Sequence, residues 1–506
     1  MSELFVTNPS RPWTFDATCC PVTADQLDAL EWDRAFSEMI ALESGAIANP
    51  DEARQVGHYW LRAPETAPTM GQAAQIGDTA EAVRSFADAV RSGQEPADDW
   101  QPFSDVLMLG IGGSALGPAM LVDALSTGDA LTVHFVDNID PSGVAAALDR
   151  IGDRLRHTLV LVASKSGGTV ETMSALTLVE RTLTEQGLRA GSHLIAITGD
   201  RSSLHDRANR HGWRRTFALW DWVGGRTSVT SAIGLLPAEL AGIDSHALLA
   251  GARDMDDWTR QADWRANPAA LLAGLWHVLG QGEGSRDLVV LPYSDRLQLL
   301  ARYLQQLVME SIGKREDREG NLVEQGLTVY GNKGSTDQHA FVQQLRDGTD
   351  DAITLFVQAL SHAHDAEVRD GVMAGDLLQG FLLGTRRALT ERGRPSVTIT
   401  VPTIDAYAVG GLIAVFERAV GLYASLIGVN AYHQPGVEAG KRAAEDILGL
   451  AAGLLGALGD TPRSAADLAS ELGADVLEAH YVLERLAATG RATRHGMTDL
   501  PPTYSQ

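Results

Sequence analysis

Cysteine, lysine and long apolar runs are all scarce in this chain of 506 residues, and each shortage excludes something. Two cysteines occur, the adjacent Cys19 and Cys20, too few for a disulfide framework, so a reducing, cytoplasmic setting is expected. No signal peptide is read at the start. The longest apolar run read from the sequence, 447–459, falls short of the ~20 residues a bilayer crossing needs, so no membrane partner is expected. Positive charge is the minority sign, with 41 Lys and Arg against 65 Asp and Glu and a formal charge of −24. Such a surface repels nucleic acid, although it allows a local basic pocket for one small anion. Only four of those basic residues are lysines: Lys165, Lys314, Lys333 and Lys441. Base composition alone can produce that bias. Each surviving lysine is nonetheless a candidate for a place where a planar guanidinium will not serve.

What is present suits a folded protein. Hydrophobic residues make up 44% and charged residues 21%, enough for buried cores in two or three domains. Residues 1–100 read as a mostly helical N-terminal region without evident chemistry. Beyond them, short β-rich runs alternate with helical patterns, at 105–110, 131–137, 158–163 and 193–198, then at 286–291, 327–331, 352–357 and 396–401. Continuous apolar strands separated by helices predict parallel sheets covered on both faces. The expected fold class is α/β, with two doubly wound halves at 101–240 and 241–459, the second including linking helices near 237–285. An appendage at 460–506 is predicted to carry two short helices and a hairpin in a winged-helix-like arrangement. Its acids outnumber its arginines, which argues against DNA binding. Ligands of open α/β sheets bind beyond the carboxyl ends of the strands, so chemistry is sought in the loops there.

The first such loop reads Gly110-Ile111-Gly112-Gly113-Ser114-Ala115 and runs into a helix. Glycines admit a ligand close to the backbone, and a helix start attracts anions. The run also fits G-x-G-x-x-A, with Asp137 closing the next strand, so a dinucleotide site is a rival on local grounds. The third loop argues against it. Ser164-Lys165-Ser166-Gly167-Gly168-Thr169-Val170-Glu171-Thr172 places hydroxyls, an ammonium and two glycines where a helix begins, a donor set suited to one phosphate. Walker spacing is absent, and an ordinary capped turn is the plain alternative.

Further on, Gly224-Gly225-Arg226-Thr227-Ser228 offers a guanidinium either to a ligand oxyanion or to a surface ion pair. Within a predicted helix over 296–311, Gln306 and Glu310 share a face. Glu310 is a candidate general base, since desolvation raises a carboxyl pKa; otherwise it is the helix-end partner of Lys314. His339 follows another strand and can shuttle protons, with Asp337 or Gln338 fixing its tautomer. Gln434 and Pro435 open a helix bearing Glu438 and Lys441, the latter a catalytic ammonium or simply a partner of Glu438. No metal-ligand spacing accompanies the histidines, His362 and His364 included.

In order over 105–445, the segments 110–118, 164–172, 224–234, 305–314, 334–341 and 434–441 closely resemble the glucose-6-phosphate isomerase family. That resemblance implies two sugar-isomerase subdomains, each an α/β/α sandwich, a homodimer, and isomerisation of a sugar phosphate without metal or other cofactor. It implies that Ser164, Ser166 and Thr169 hold the substrate phosphate with Lys165 adjoining, and that Gly113 and Ser114 line the sugar site. Glu310 matches the base that moves a proton between C1 and C2, and Arg226 the residue facing the enediolate. His339, from the neighbouring subunit, and Lys441 match the ring-opening pair, while Glu171, Gln306 and Gln434 match the substrate shell. The family often has consecutive threonines where Gly168 precedes Thr169 here, one hydroxyl fewer. A non-catalytic sugar-phosphate sensor on the same fold would keep the 164 loop and could dispense with Glu310, His339 and Lys441, all of which are present.

Overall fold

Five parallel strands make up the first sheet: Asp105–Leu109, Thr132–Val136, Thr158–Ala163, Leu194–Thr198 and Arg215–Ala218. In space they run second, first, third, fourth, fifth. Every residue of the first, third and fourth is buried, as helices on both faces require. A second sheet repeats the pattern with Asp287–Tyr293, Val329–Tyr330, Ala352–Ala359 and Ser396–Val401, all parallel and again ordered second, first, third, fourth. In sheets wound this way the crevice for ligands opens where the strand order reverses, between the first and third strands. In the first sheet the turns flanking that crevice follow Leu109 and Ala163, and these are the two glycine-bearing loops.

This computed structural model describes residues 3–8, 11–496 and 502–506, leaving aside the side chains of 437–439 and 441. All eight expected strands lie within two residues of their predicted limits, 327–331 shortening to Val329–Tyr330. The first hundred residues are not wholly helical. Phe5–Thr7 and Thr14–Asp16 pair antiparallel and extend the second sheet along the edge of Ser396–Val401. Three-residue edge strands are too short to show a period, and Arg215–Ala218, an edge strand with an exposed arginine, escaped the sequence reading for a similar reason. The predicted helix over 296–311 is broken into a 3-10 turn at Asp295–Leu297, an α-helical turn at Leu300–Leu304 and a π-helical turn at Gln305–Glu310.

The main core runs between the two sheets, and smaller clusters lie on the far face of each. At its centre stands Ala406–Leu426, a 21-residue helix packed against Ser245–Thr259, Pro268–Leu279 and Trp32–Glu43. It is apolar and long enough to cross a membrane, yet it is buried within the protein, and it exceeds the 447–459 run singled out from the sequence. The chain divides into two compact units, Met1–His433 and Gln434–Gln506. In the second, the helices Pro435–Ala457, Ala465–Leu472 and Val476–Ala488 and the three-stranded antiparallel sheet of Arg463–Ser464, Thr503–Ser505 and Thr493–His495 close on Leu454, Leu468, Leu483 and Tyr504.

Candidate active site

The strand Thr158–Ala163 ends in a turn that presents hydroxyls and N–H groups at the start of the helix Val170–Glu185. Ser164 is buried, and its Oγ lies 3.0 Å from Thr169 Oγ1 and accepts from Gly167 N at 3.1 Å. Ser166 is exposed, and its Oγ accepts from Gly168 N at 3.2 Å. Gly167 sits at φ +70°, where a Cβ would meet Leu204 N at 2.4 Å, so only glycine fits. Thr169, the residue preceding the helix, makes no side-chain cap, which leaves the helix start open to an anion. Glu171 lies half-buried in the first helical turn.

Lys165 behaves differently from its neighbours. Its Nζ donates to the carbonyls of Asp221 at 2.7 Å and Val223 at 3.0 Å, and burial pushes the ammonium down to about 8.

Three turns converge beside this one. Gly112–Ser114 packs against Gly225–Thr227 so closely that a Cβ on Gly113 would sit 1.8 Å from Gly225 O. Gly225–Thr227 in turn packs against the π-helical turn, and such turns recur at functional sites. The Gln306 amide approaches Gly112. Arg226 is 6% exposed, not a surface arginine. It donates to Ala431 O at 2.7 Å, His433 O at 3.3 Å and Ser311 Oγ at 3.3 Å. Its Nε lies 3.3 Å from Glu310 Oε2 in an ion pair, and that carboxylate oxygen has no hydrogen-bond partner among the described residues. Burial moves the Arg226 guanidinium down from its usual range, with Glu310 opposing.

Glu310 is therefore not the side-chain partner of Lys314. Lys314 Nζ donates to the carbonyls of Glu310 at 2.7 Å and Ser311 at 2.8 Å, closing the helix end, and burial brings it to about 7.

A cavity of about 40 Å³ lies behind these turns, room for about three waters at ~10–15 Å³ each. Asn49, Arg54, His58, Lys165, Arg226 and Glu417 are among the residues around it. The 49–58 segment was missed by sequence reasoning, and no spacing there signals a site. Beneath the cavity, Arg62 donates to Asp256 at 2.5 and 2.9 Å and to Glu417 at 2.5 Å, all fully buried. Arg418 joins through Glu43 and lies 3.5 Å from Asp256. Burial pushes the Glu417 carboxyl up to about 7, against the pull of Arg62. This network did leave a signal: Glu417 and Arg418 interrupt an otherwise apolar stretch.

His339 is exposed in the 3-10 turn Thr336–His339 and is not held by either candidate partner. Asp337 is buried and accepts from Asn332 N at 2.8 Å and Lys333 N at 3.1 Å, and Gln338 donates to Phe381 O at 3.2 Å. Ser114 is half-buried in the first glycine turn. Gln434 precedes the helix Pro435–Ala457 of the second unit; Lys441 lies on that helix with its side chain outside the described residues. Asp137, the expected ribose ligand of the dinucleotide reading, pairs with Arg302 at 3.2 Å.

Two doubly wound sheets around one core, with a hydroxyl-lined turn and a buried carboxylate–guanidinium pair beyond the strand ends, define an α/β protein of the sugar-isomerase class. Within that class the chain belongs to the phosphoglucose isomerase family, whose model matches residues 23–453. It is 52% identical over 481 residues to the glucose-6-phosphate isomerase of Synechococcus sp. (strain JA-3-3Ab), covering 93% of this chain and 90% of that one. To the glucose-6-phosphate isomerase of Geobacter sp. (strain M21) it is 55% identical over 420 residues, covering 82% and 79%. The crystal structure of a glucose-6-phosphate isomerase from Chlamydia trachomatis superposes with a TM-score of 0.79 at 27% identity, over 88% of this chain and 90% of that one.

Proposed function

We propose that this chain is an enzyme that interconverts glucose 6-phosphate and fructose 6-phosphate through a cis-enediolate. The observation that carries the reading is the Glu310–Arg226 pair, set 3.3 Å apart in a largely buried position beside the phosphate turn. In this scheme the phosphate dianion sits on Ser164, Ser166 and Thr169, with the sugar against Gly113, Ser114 and Gln306 and with Glu171 and Gln434 completing the shell. His339 and Lys441 move the protons that open the ring, and His339 reaches the site across a homodimer interface.

Glu310 then removes the hydrogen of C2 from the open-chain aldose. The electron pair enters a C1–C2 double bond, and negative charge settles on O1. The same carboxyl returns the proton to C1 while the proton of O2 passes to O1, which leaves the ketone at C2. A positioned base contributes ~10²–10⁴-fold and a donor to the oxyanion ~10²–10³-fold. No step needs a metal or a nucleotide. Two free cysteines, Cys19 and Cys20, fit the reducing, cytoplasmic setting of a glycolytic enzyme.

A coupled assay on fructose 6-phosphate, run with and without EDTA, tests the reading. Turnover that is unchanged by chelator is expected; absence of turnover, or its loss in EDTA, overturns it.

A further inference from the structure

The phosphate turn and the arginine that faces the reacting carbons are joined by one side chain. Lys165 lies inside the turn, and its backbone is fixed there: Thr198 Oγ1 donates to Ser164 O at 2.6 Å, and Gly199 N donates to Lys165 O at 3.1 Å. Its ammonium does not point at the hydroxyls of the turn. It crosses to the segment after Arg215–Ala218 and holds the carbonyls of Asp221 and Val223. The carbonyl between them, Trp222 O, accepts from Gly57 N at 2.9 Å. Three successive carbonyls are thus tied from outside the segment, and Gly224-Gly225-Arg226 follows directly. The same segment carries Trp220 stacked on Trp222 at 4.9 Å and 6°, with Trp60 against Trp222 at 5.3 Å. An ammonium suits this task because its hydrogens diverge to two carbonyls at once, whereas a guanidinium presents its donors in one plane.

We propose that Lys165 is a positioning residue: by holding the 221–223 segment it sets Arg226 against the reacting carbons. The inference rests on the reading of Arg226 as the group that faces the enediolate. It departs from a phosphate-ligand role, because both carbonyl bonds would have to break before the ammonium reached a dianion.

Lys165→Met tests it. A misplacement of about 1 Å at a reacting group costs ~10²-fold, so kcat on fructose 6-phosphate should fall about 10²-fold. KM, and competitive inhibition by inorganic phosphate, should stay close to wild type. The near-ultraviolet circular dichroism of the stacked Trp220–Trp222 pair should change, and Lys165→Arg, which keeps two donors, should recover part of the rate. A phosphate ligand would behave in the opposite way, with KM and the phosphate inhibition constant rising at unchanged kcat; that result, or unchanged kinetics, overturns the proposal. Should Lys165→Met fail to fold, Lys165→Gln provides the same split between kcat and KM. Arg226→Met separates the two levels of the argument. If it turns over normally, the reading of Arg226 fails; if it is inactive while Lys165→Met keeps its kcat, only the positioning role fails.

Discussion

Replacing Glu310 by glutamine removes one negative charge and one proton acceptor while keeping the shape of the side chain. The carboxylate attracts Arg226 across 3.3 Å, a gross energy of about 5 kcal/mol in an effective dielectric of ~20. The substitution relieves only the desolvation of Glu310 and leaves Arg226 buried without its counter-charge, so the expected loss of folding stability is about 3 kcal/mol. Arg226 stays where it is, because Ala431 O, His433 O and Ser311 Oγ hold it independently of Glu310. Substrate binding should therefore change little. The chemical step loses its base, worth ~10²–10⁴-fold, and it also loses the group that returns the proton to the neighbouring carbon. A fall in kcat of about 10³-fold at nearly constant KM is expected, measured in the coupled assay with fructose 6-phosphate. A variant that retains a tenth or more of wild-type kcat, or one that loses binding instead, would refute the assignment of the base.

Other consequences concern the buried charges. Arg62→Met removes the ion-pair partner of Glu417 and the nearer of the two arginines beside Asp256, both carboxylates fully buried, and should lower stability to denaturant by about 3–5 kcal/mol; a loss below about 1 kcal/mol would show that the network does not depend on Arg62. Lys314, held at about 7 when folded, has an unfolded value near ~10.4, so between pH 7 and 8 the unfolded chain binds a proton that the folded chain has released. Stability should therefore rise with pH across that window, with this lysine contributing a slope of up to about 1.4 kcal/mol per pH unit, before Lys165 joins at about 8. Lys314→Met should flatten the rise, and an unchanged slope in denaturation curves would contradict the burial of that ammonium.

Much of the architecture was legible because its signals are local. The eight strands read from the sequence, six of them interior to their sheets, are mainly apolar runs between turn residues, and the loops after Leu109 and Ala163 declare their chemistry through glycine and hydroxyl spacing. What stayed hidden depends on partners distant in sequence. Nothing near Phe5–Thr7 or Thr14–Asp16 tells that they will add to the edge of Ser396–Val401. The cavity wall at 49–58 joins the site only through tertiary packing. Lys165 sits in a loop that reads as phosphate-binding, and its direction toward Asp221 and Val223 is visible only in three dimensions. Glu310 and Lys314, four residues apart, read as a side-chain pair, but the π-helical turn that ends at Glu310 sets its carboxylate beside Arg226 and leaves the lysine to the backbone carbonyls.

The central claim is that Glu310 lifts hydrogen from one sugar carbon and returns it to the next. Because its side chain is 19% exposed, a proton held there can exchange with solvent before it is delivered. Isomerising fructose 6-phosphate in D₂O and locating the label by NMR tests this most directly. Deuterium is expected at C2 of part of the glucose 6-phosphate formed, with no such product from Glu310→Gln; a product free of deuterium at C2, or equal labelling by Glu310→Gln, would contradict the account.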